Sequence, residues 1–156
     1  MAVQTAAGTT VGISAEKPAT FTAAGYEALT FTTIGEIVDA GGAGATYAAV
    51  THSPLGSRAV QKYKGSVDYG SRTLQLALDN DDAGQIIAKQ ALHSDDDFYF
   101  EVAYPNGDRD VFPAKVMNLT KSVSSVDSII SATIELAITA TKDGVGIIEI
   151  LAPSTP

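Results

Sequence analysis

Residues 67–104 have the sequence VDYGSRTLQLALDNDDAGQIIAKQALHSDDDFYFEVAY, and this stretch decides the fold class. Apolar and polar residues alternate from Arg72 to Leu78 and again from Phe98 to Tyr104, which is the period of half-buried strands. Between them the apolar residues change to a helical period. The stretch therefore predicts a strand, one short helix and a second, aromatic strand.

The predicted helix follows a cluster of acidic residues. Asp82 and Gln85 have capping-box spacing, and carboxylates suit the positive end of a helix dipole. Gln85 and Lys89 fall opposite the apolar residues on a helical wheel, so we expect them to face away from the sheet. The stripe expected to lie on the sheet consists of Ala83, Ile86, Ile87 and Ala91.

Outward from this unit, both flanks are rich in β-branched and aromatic residues. Asn106 and Gly107 form a strong hairpin signal after the aromatic strand, because both residue types tolerate positive φ. The other predicted strands lie at 11–14, 28–38, 59–69, 109–120, 133–138 and 147–151. The prediction is a mainly β fold, an antiparallel β-sandwich of about eight strands in two packed sheets, with one flanking short α-helix.

The length of 156 residues suits one domain. We expect an N-terminal arm at residues 1–10, the β-sandwich domain at 11–151 and a C-terminal tail at 152–156. The chain has no cysteine, which fits a reducing compartment. It also has no window of about 18 uninterrupted apolar residues and no signal-peptide pattern, so membrane insertion is not expected.

No charged residue lies between Asp39 and Arg58, and this stretch is rich in glycine and alanine with no clean period. It predicts a long structureless connection, a feature that is uncommon inside a compact domain unless it is functional or disordered. Two interpretations remain open, an exposed flexible loop or a loop that packs on another subunit.

The sequence offers little catalytic chemistry. Phosphate-binding, dinucleotide-binding and nucleophile-elbow motifs are absent, and His52 and His93 lack metal-ligand spacing. Residues 79–90 resemble a calcium loop only in part, because Gln90 stands where a bidentate Glu is required. Glu101 and Asp110 could face each other across the hairpin as a glycosidase pair does. We expect no enzyme, no cofactor and no metal, and the net charge of −8 argues against a surface that neutralises phosphates.

With these features the chain resembles the major tail tube proteins of long-tailed, lambda-like siphovirus bacteriophages. The residues that carry the resemblance are Gly70, Leu74, Leu76 and Leu78, the helix start at 79–85, the aromatic strand, the Asn106–Gly107 hairpin and the long early loop. It covers the chain from about Ile13 to Ile150. It implies a structural virion protein of the tail, assembled in the host bacterial cytoplasm, whose hexameric rings stack into a tube for DNA ejection. The tape measure, tail terminator and tail tip proteins are implied as partners.

Mapped on this chain, the resemblance implies an inter-ring stacking loop at residues 40–64 and connecting arms at the two termini. The loop residues singled out are Gly41, Gly44, Tyr47, Val50, His52, Leu55 and Arg58. Strand alternation opposite the apolar faces suggests four lumen-facing acids, Glu36, Asp68, Glu101 and Asp110. Six chains would carry 6 × −8 = −48, and a lumen of that sign would repel phosphates within a Debye length of about 10 Å at 0.1 M salt. DNA would then pass without binding.

Two alternatives stay open. One is the tube protein of a contractile tail or a secretion system, which shares the sandwich and the ring. The other is a carbohydrate-binding β-sandwich module, which requires exposed aromatic residues that converge on one face or groove.

Overall fold

The computed structural model describes residues 3–152, so Met1, Ala2 and residues 153–156 of the predicted arm and tail lie outside the described residues. Ten strands and two helices are present, which confirms the mainly β, antiparallel prediction. The strands are β1 (Thr10–Ser14), β2 (Thr32–Ile34), β3 (Ile37–Asp39), β4 (Thr46–His52), β5 (Gln61–Asp68), β6 (Ser71–Ala77), β7 (Phe98–Ala103), β8 (Arg109–Ser122), β9 (Ser131–Ile138) and β10 (Ile148–Ile150). The helices are α1 (Ala23–Glu27) and α2 (Ala83–Leu92).

Eight strands belong to one sheet, in the order β2-β1-β7-β8-β9-β6-β3, with β10 paired to β8. Strand β8 is shared by the two halves, because its first part pairs with β7 and its second part with β9, and Ala114 opposes both Phe98 and Ile138. The two ends of this order, β2 and β3, are joined by Gly35 and Glu36 alone. The sheet must therefore curl until its edges meet, and its inner side chains form one core.

Helix α2 covers this core where the edges meet. Asp82 is its N-cap, as predicted, since its Oδ2 accepts hydrogen bonds from the backbone N–H groups of Gln85 and Gly35, each at 3.0 Å. Of the predicted apolar stripe, Ile87 and Ala91 pack on the main core, whereas Ala83 is exposed and the expected outward orientation of Gln85 is wrong. Gln85 is buried at 2% exposure, whereas Ile86 is 41% exposed.

The buried face of α2 is set by hydrogen bonds between one side chain and distant backbone groups, which the sequence does not reveal. The Gln85 side chain accepts from the Asp79 N–H at 2.9 Å and donates to the carbonyl oxygens of Gly35 and Ala77 at 3.1 and 3.0 Å. Gly84 allows the helix to approach closely, because a Cβ there would lie 2.4 Å from the Thr33 carbonyl oxygen. One amide side chain thus joins the β2–β3 turn and the end of β6 to the helix.

A second helix corrects the prediction of a single one. Helix α1 has five residues, is capped by the Thr22 hydroxyl, and places Tyr26 in a second, smaller core. Tyr26 and Tyr99 meet there at 6.1 Å between ring centroids, in an edge-to-face arrangement. Strand β7 is consequently buried on both faces in its first half. Five residues are too few to show a helical period, so no pattern in the sequence indicates α1.

The stretch between Asp39 and Arg58 contains strand β4, which corrects the prediction of a structureless connection there, whereas the strand predicted at 59–69 is confirmed as β5. Strands β4 and β5 pair in an antiparallel, two-stranded sheet of their own. Every residue of β4 is exposed, so no face has to be apolar and no alternation appears in the sequence. The segment before the hairpin is packed, since Ala40 and Ala43 contact the main core.

Candidate assembly surface

The β4–β5 hairpin, residues 46–68, projects from the body of the protein. It leaves the sheet after β3 and returns at the start of β6, and of its strand residues only Val67 is half-buried. From the base pair Thr46–Asp68 to the pair His52–Gln61, the strands reach about 20 Å. Such an element contributes little to the core of its own subunit.

Cross-strand pairing gives the hairpin two different faces. On one face Val50 opposes Tyr63 and His52 opposes Gln61, and the Tyr63 hydroxyl donates to Gln61 Oε1 at 2.9 Å. Beyond the base pair Thr46–Asp68, this face has no charged side chain. We call it the neutral face.

The other face is basic. Thr51 opposes Lys62 and Ala49 opposes Lys64, whose Nζ lies 4.8 Å from the centroid of the Tyr47 ring. With Arg58 in the tip, the segment 40–67 carries three basic residues and no acid. Its charge is +3, so the rest of the chain carries −8 − 3 = −11. The three cations form no salt bridge within residues 3–152.

The stacking-loop residues named from the sequence divide into two groups. Tyr47, Val50 and His52 lie in β4, and Leu55 and Arg58 lie in the exposed tip. Gly41 and Gly44 lie before the hairpin. Gly41 has a φ of 65° and packs so close to β6 that a Cβ would lie 2.3 Å from the Thr73 carbonyl oxygen, which gives it a structural role at the base.

Tyr63 and Val60 were missed by sequence reasoning, although both side chains are exposed on the hairpin. The signal that could have found Tyr63 is its alternation with Lys62 and Lys64. Apolar residues alternating with lysines indicate a strand with one basic face.

The four candidate lumen acids do not form one surface. Glu36, with a φ of 62°, lies exposed in the turn between β2 and β3, and Asp68 lies exposed at the base of the hairpin. Glu101 opposes Val111 whereas Asp110 opposes Val102, so these two carboxylates point to opposite faces of the sheet. The expectation that they face each other is wrong.

Glu101 and Asp110 also have partners of their own. Arg109 contacts Glu101 at 3.3 Å and Glu27 at 3.1 Å, and this ion pair network ties β8 to α1. Asp110 Oδ2 accepts a hydrogen bond from the Tyr104 hydroxyl at 2.5 Å. Burial and this hydrogen bond raise the pKa of Tyr104 above its usual value.

The cleft beside Asp110 has a volume of about 640 Å³ and lies under the segment that leads to the hairpin. Arg72 is buried there, donates to the Ala40 carbonyl oxygen at 3.0 Å and lies 5.7 Å from the centroid of the Phe112 ring. These contacts fix the base of the hairpin on the sandwich. No group of three or more His, Asp or Glu residues in the described range could hold a metal ion.

The family model described as "Lambda phage tail tube protein, TTP" matches residues 20–144. The chain belongs to this family. The tail tube protein is thus a structural component of a virion tail, not an enzyme, and proteins of this kind assemble into tubes with other tail components. The family match confirms the resemblance drawn from the sequence. No match was found among curated protein sequences.

Three solved structures share the fold of this tail tube protein. A chain in the baseplate of the anti-feeding prophage aligns with a TM-score of 0.63 and 12% identity, over 96% of this chain and 97% of that chain. A chain in the sheath/tube terminator of an extracellular contractile injection system gives 0.68 and 11%, over 97% and 99%. A chain in the virion of a native gene transfer agent gives 0.62 and 14%, over 96% and 100%. At these identities the likeness shows the fold alone.

Neither helix within residues 3–152 has the length and apolar character needed to cross a membrane.

Proposed function

We propose that this tail tube protein forms hexameric rings that stack into the tube through which phage DNA is ejected into the host. The observation that carries the proposal is the β4–β5 hairpin, which reaches about 20 Å from its base with its side chains exposed. An isolated two-stranded hairpin is only marginally stable in water. A neighbouring subunit that covers it would supply the missing packing.

The free edges of the hairpin support the same proposal. Within residues 3–152, strands β4 and β5 pair with each other and with no other strand, so each has one edge with unpaired backbone groups. Such edges are templates for pairing with another chain, and closure of strands from several subunits into one barrel removes them. The free edges therefore support a role of the hairpin between subunits.

Passage of DNA is proposed from the charge balance. The body outside residues 40–67 carries −11 per chain, and a lumen built from it would repel phosphates at close range. Among the four candidate acids, Glu36 and Asp68 present exposed carboxylates, whereas Glu101 is held in an ion pair. Glu36 and Asp68 are the better candidates for a lumen surface.

The alternatives have different support. A carbohydrate-binding module needs aromatic side chains that converge, but the exposed tyrosines of the hairpin, Tyr47 and Tyr63, lie on opposite faces. A contractile-tail or secretion tube shares this fold, and its proteins differ in carrying a sheath around the tube. The proposal is therefore a tube of stacked rings. The tube is assembled in the host cytoplasm together with the tape measure, tail terminator and tail tip proteins.

The test is electron microscopy and sedimentation velocity of the purified chain over a range of concentrations. We expect six-fold rings and tubes, with a sedimentation coefficient that rises with concentration. A chain that stays monomeric at every concentration would contradict the proposal. Tubes that retain duplex DNA at about 0.1 M salt, the range of the electrostatic argument, would contradict the acidic lumen while leaving the tube itself in place.

A further inference from the structure

We propose that the hairpin docks on the β8–β9 connection, residues 123–130, of the next copy of this chain. The inference rests on the proposed function and names the partner surface that the hairpin recognises. The contact would be head to tail, between two unlike surfaces, and contacts of that kind propagate into open filaments unless the geometry closes them into a ring.

The two surfaces lie at opposite ends of the same strands. The hairpin joins β6 at its first residue, Ser71, which pairs with Ala137 of β9. The β8–β9 connection lies where the last residue of β6, Ala77, pairs with Ser131 of β9. The Leu78 N–H donates to the Ile130 carbonyl oxygen at 2.9 Å, which fixes the connection at this end. The ends are about 20 Å apart along the strand.

Both surfaces expose apolar side chains. Val123, Val126 and Ile129 of the connection are 73%, 99% and 78% exposed. The hairpin presents its own exposed apolar set at the other end, namely Tyr47, Val50, Leu55, Val60 and Tyr63. Apolar side chains grouped in this way on one short segment mark interaction sites more often than single exposed ones do.

The charges of the two surfaces are complementary. The hairpin carries Arg58, Lys62 and Lys64 and no acid before Asp68. At the opposite end, the connection and the neighbouring turn at 79–82 contain four acids, Asp79, Asp81, Asp82 and Asp127, and no basic residue. The basic residues next to these segments are Lys89 of α2, which contacts Asn80, and Lys121 at the end of β8.

The acidic side chains of the partner surface are also free to form ion pairs with another chain. Asp79, Asp81 and Asp127 are exposed and form no salt bridge within residues 3–152, as is true of the three hairpin cations. One surface carries unpaired positive charges and the other carries unpaired negative charges. These charges favour contact between the two unlike surfaces and disfavour contact of either surface with another copy of itself. A second copy of this chain is therefore the partner we propose, because every copy carries both the basic hairpin and the acidic surface.

Disulfide cross-linking tests the contact directly, because the chain has no cysteine of its own. Leu55→Cys and Val126→Cys would be purified separately, mixed, assembled and oxidised, and the linked peptides identified by mass spectrometry. A disulfide requires the two Cα atoms to come within about 7 Å. We expect a mixed disulfide between the two variants, and none when Leu55→Cys is mixed with Asp143→Cys, an exposed turn at the hairpin's own end.

Charge reversal gives a second readout. Lys62→Glu with Lys64→Glu should raise the concentration needed for tube assembly by about tenfold, the effect expected from like charges at a contact. Asp79→Lys with Asp127→Lys in the same chain should lower it again. All four residues are exposed, so the variants should keep the wild-type melting temperature.

The outcomes separate the two proposals. Tubes that form without the mixed disulfide and without rescue by the second charge pair overturn the inference and leave the proposed function standing. A wild-type chain that never assembles overturns both.

Discussion

Tyr26 is a buried tyrosine whose hydroxyl has no hydrogen-bond partner within residues 3–152. Leaving such a group unsatisfied costs about 1–3 kcal/mol. Tyr26→Phe should therefore keep or increase the free energy of unfolding at pH 7. The matched control is Tyr63→Phe, which removes the hydroxyl of an exposed tyrosine. A clear loss of stability in Tyr26→Phe would contradict this account of the second core.

The same residue gives a pH dependence. Burial, with smaller effects of Tyr99 and Asp97, raises the pKa of Tyr26 above its usual value. Because the folded state favours the neutral form of Tyr26, the protein gains stability as long as this tyrosine is neutral in the unfolded chain as well. This contribution to the free energy of unfolding is complete below about pH 10 and is lost as the pH rises above that value. Thermal unfolding followed from pH 7 to 11 should show a shallower alkaline loss in Tyr26→Phe than in the wild type. Equal slopes would contradict the raised pKa.

Gln85 is a polar residue on which packing depends. Gln85→Leu leaves the Asp79 N–H and the Gly35 and Ala77 carbonyl oxygens without their present partner. We expect the free energy of unfolding to fall by about 2–5 kcal/mol, although leucine is more apolar. Gln90→Leu, at an exposed position of the same helix, should change it by less than about 0.5 kcal/mol. Urea unfolding of both variants checks the prediction, and equal effects would contradict it.

The contrast between Asp82 and Gln85 shows what sequence can reveal about single residues. Asp82 was predicted as a cap because capping depends on a partner three residues away. Gln85 was predicted to face outward because its polarity opposed the apolar stripe. Its partner Gly35 lies 50 residues away, and a partner at that distance leaves no local pattern.

At the scale of an element, helix α2 depends on close contact with β2. A Cβ at Gly84 would meet backbone atoms of Thr33 and Ile34 at 2.4–2.7 Å. Alanine favours helices by about 1 kcal/mol over glycine, but here the clash should dominate and Gly84→Ala should lose about 1–3 kcal/mol. Gly42→Ala is the control, because no atom lies within 4 Å of its Cβ position. Stabilisation by Gly84→Ala in thermal unfolding would show that the helix lies farther from the sheet.

The elements predicted correctly from the sequence are those with one buried face. Strand β6 and the first half of β9 alternate clearly because their outward residues are polar or small. Strand β4 was missed because both of its faces are exposed, so burial imposes no alternation on it. The curl of the sheet was missed for another reason. It depends on β2 and β3 being at opposite ends of the strand order, and sequence patterns do not report that order.

For the whole molecule, we propose a division in which the sandwich folds by itself and the hairpin serves assembly. The sandwich holds the buried core, the capped helix and the ion pairs, whereas the hairpin contributes exposed side chains, free strand edges and a charge opposite to that of the body. The loop predicted from the sequence at residues 40–64 overlaps the hairpin, and its role between rings stays a prediction. The sequence did not reveal that the segment is a hairpin with a neutral face and a basic face.

This division predicts that the hairpin can be removed without unfolding the sandwich. Thr46 and Asp68 pair at its base, so Tyr47–Val67 can be replaced by Asn-Gly, which suits a two-residue hairpin turn. Closing a shorter loop costs little and removes no residue of the main core. We expect a melting temperature close to that of the wild type, together with loss of tubes. A control with the hairpin kept and its tip residue Leu55 changed to Ser should remain folded in the same way.

The most direct test of the account is electron microscopy of this truncated chain beside the wild type, at equal concentration and with folding checked by circular dichroism. The account predicts stacked tubes for the wild type and only folded monomers or single rings for the truncated chain. Tubes of the same length from both chains would show that the hairpin does not join the subunits of neighbouring rings.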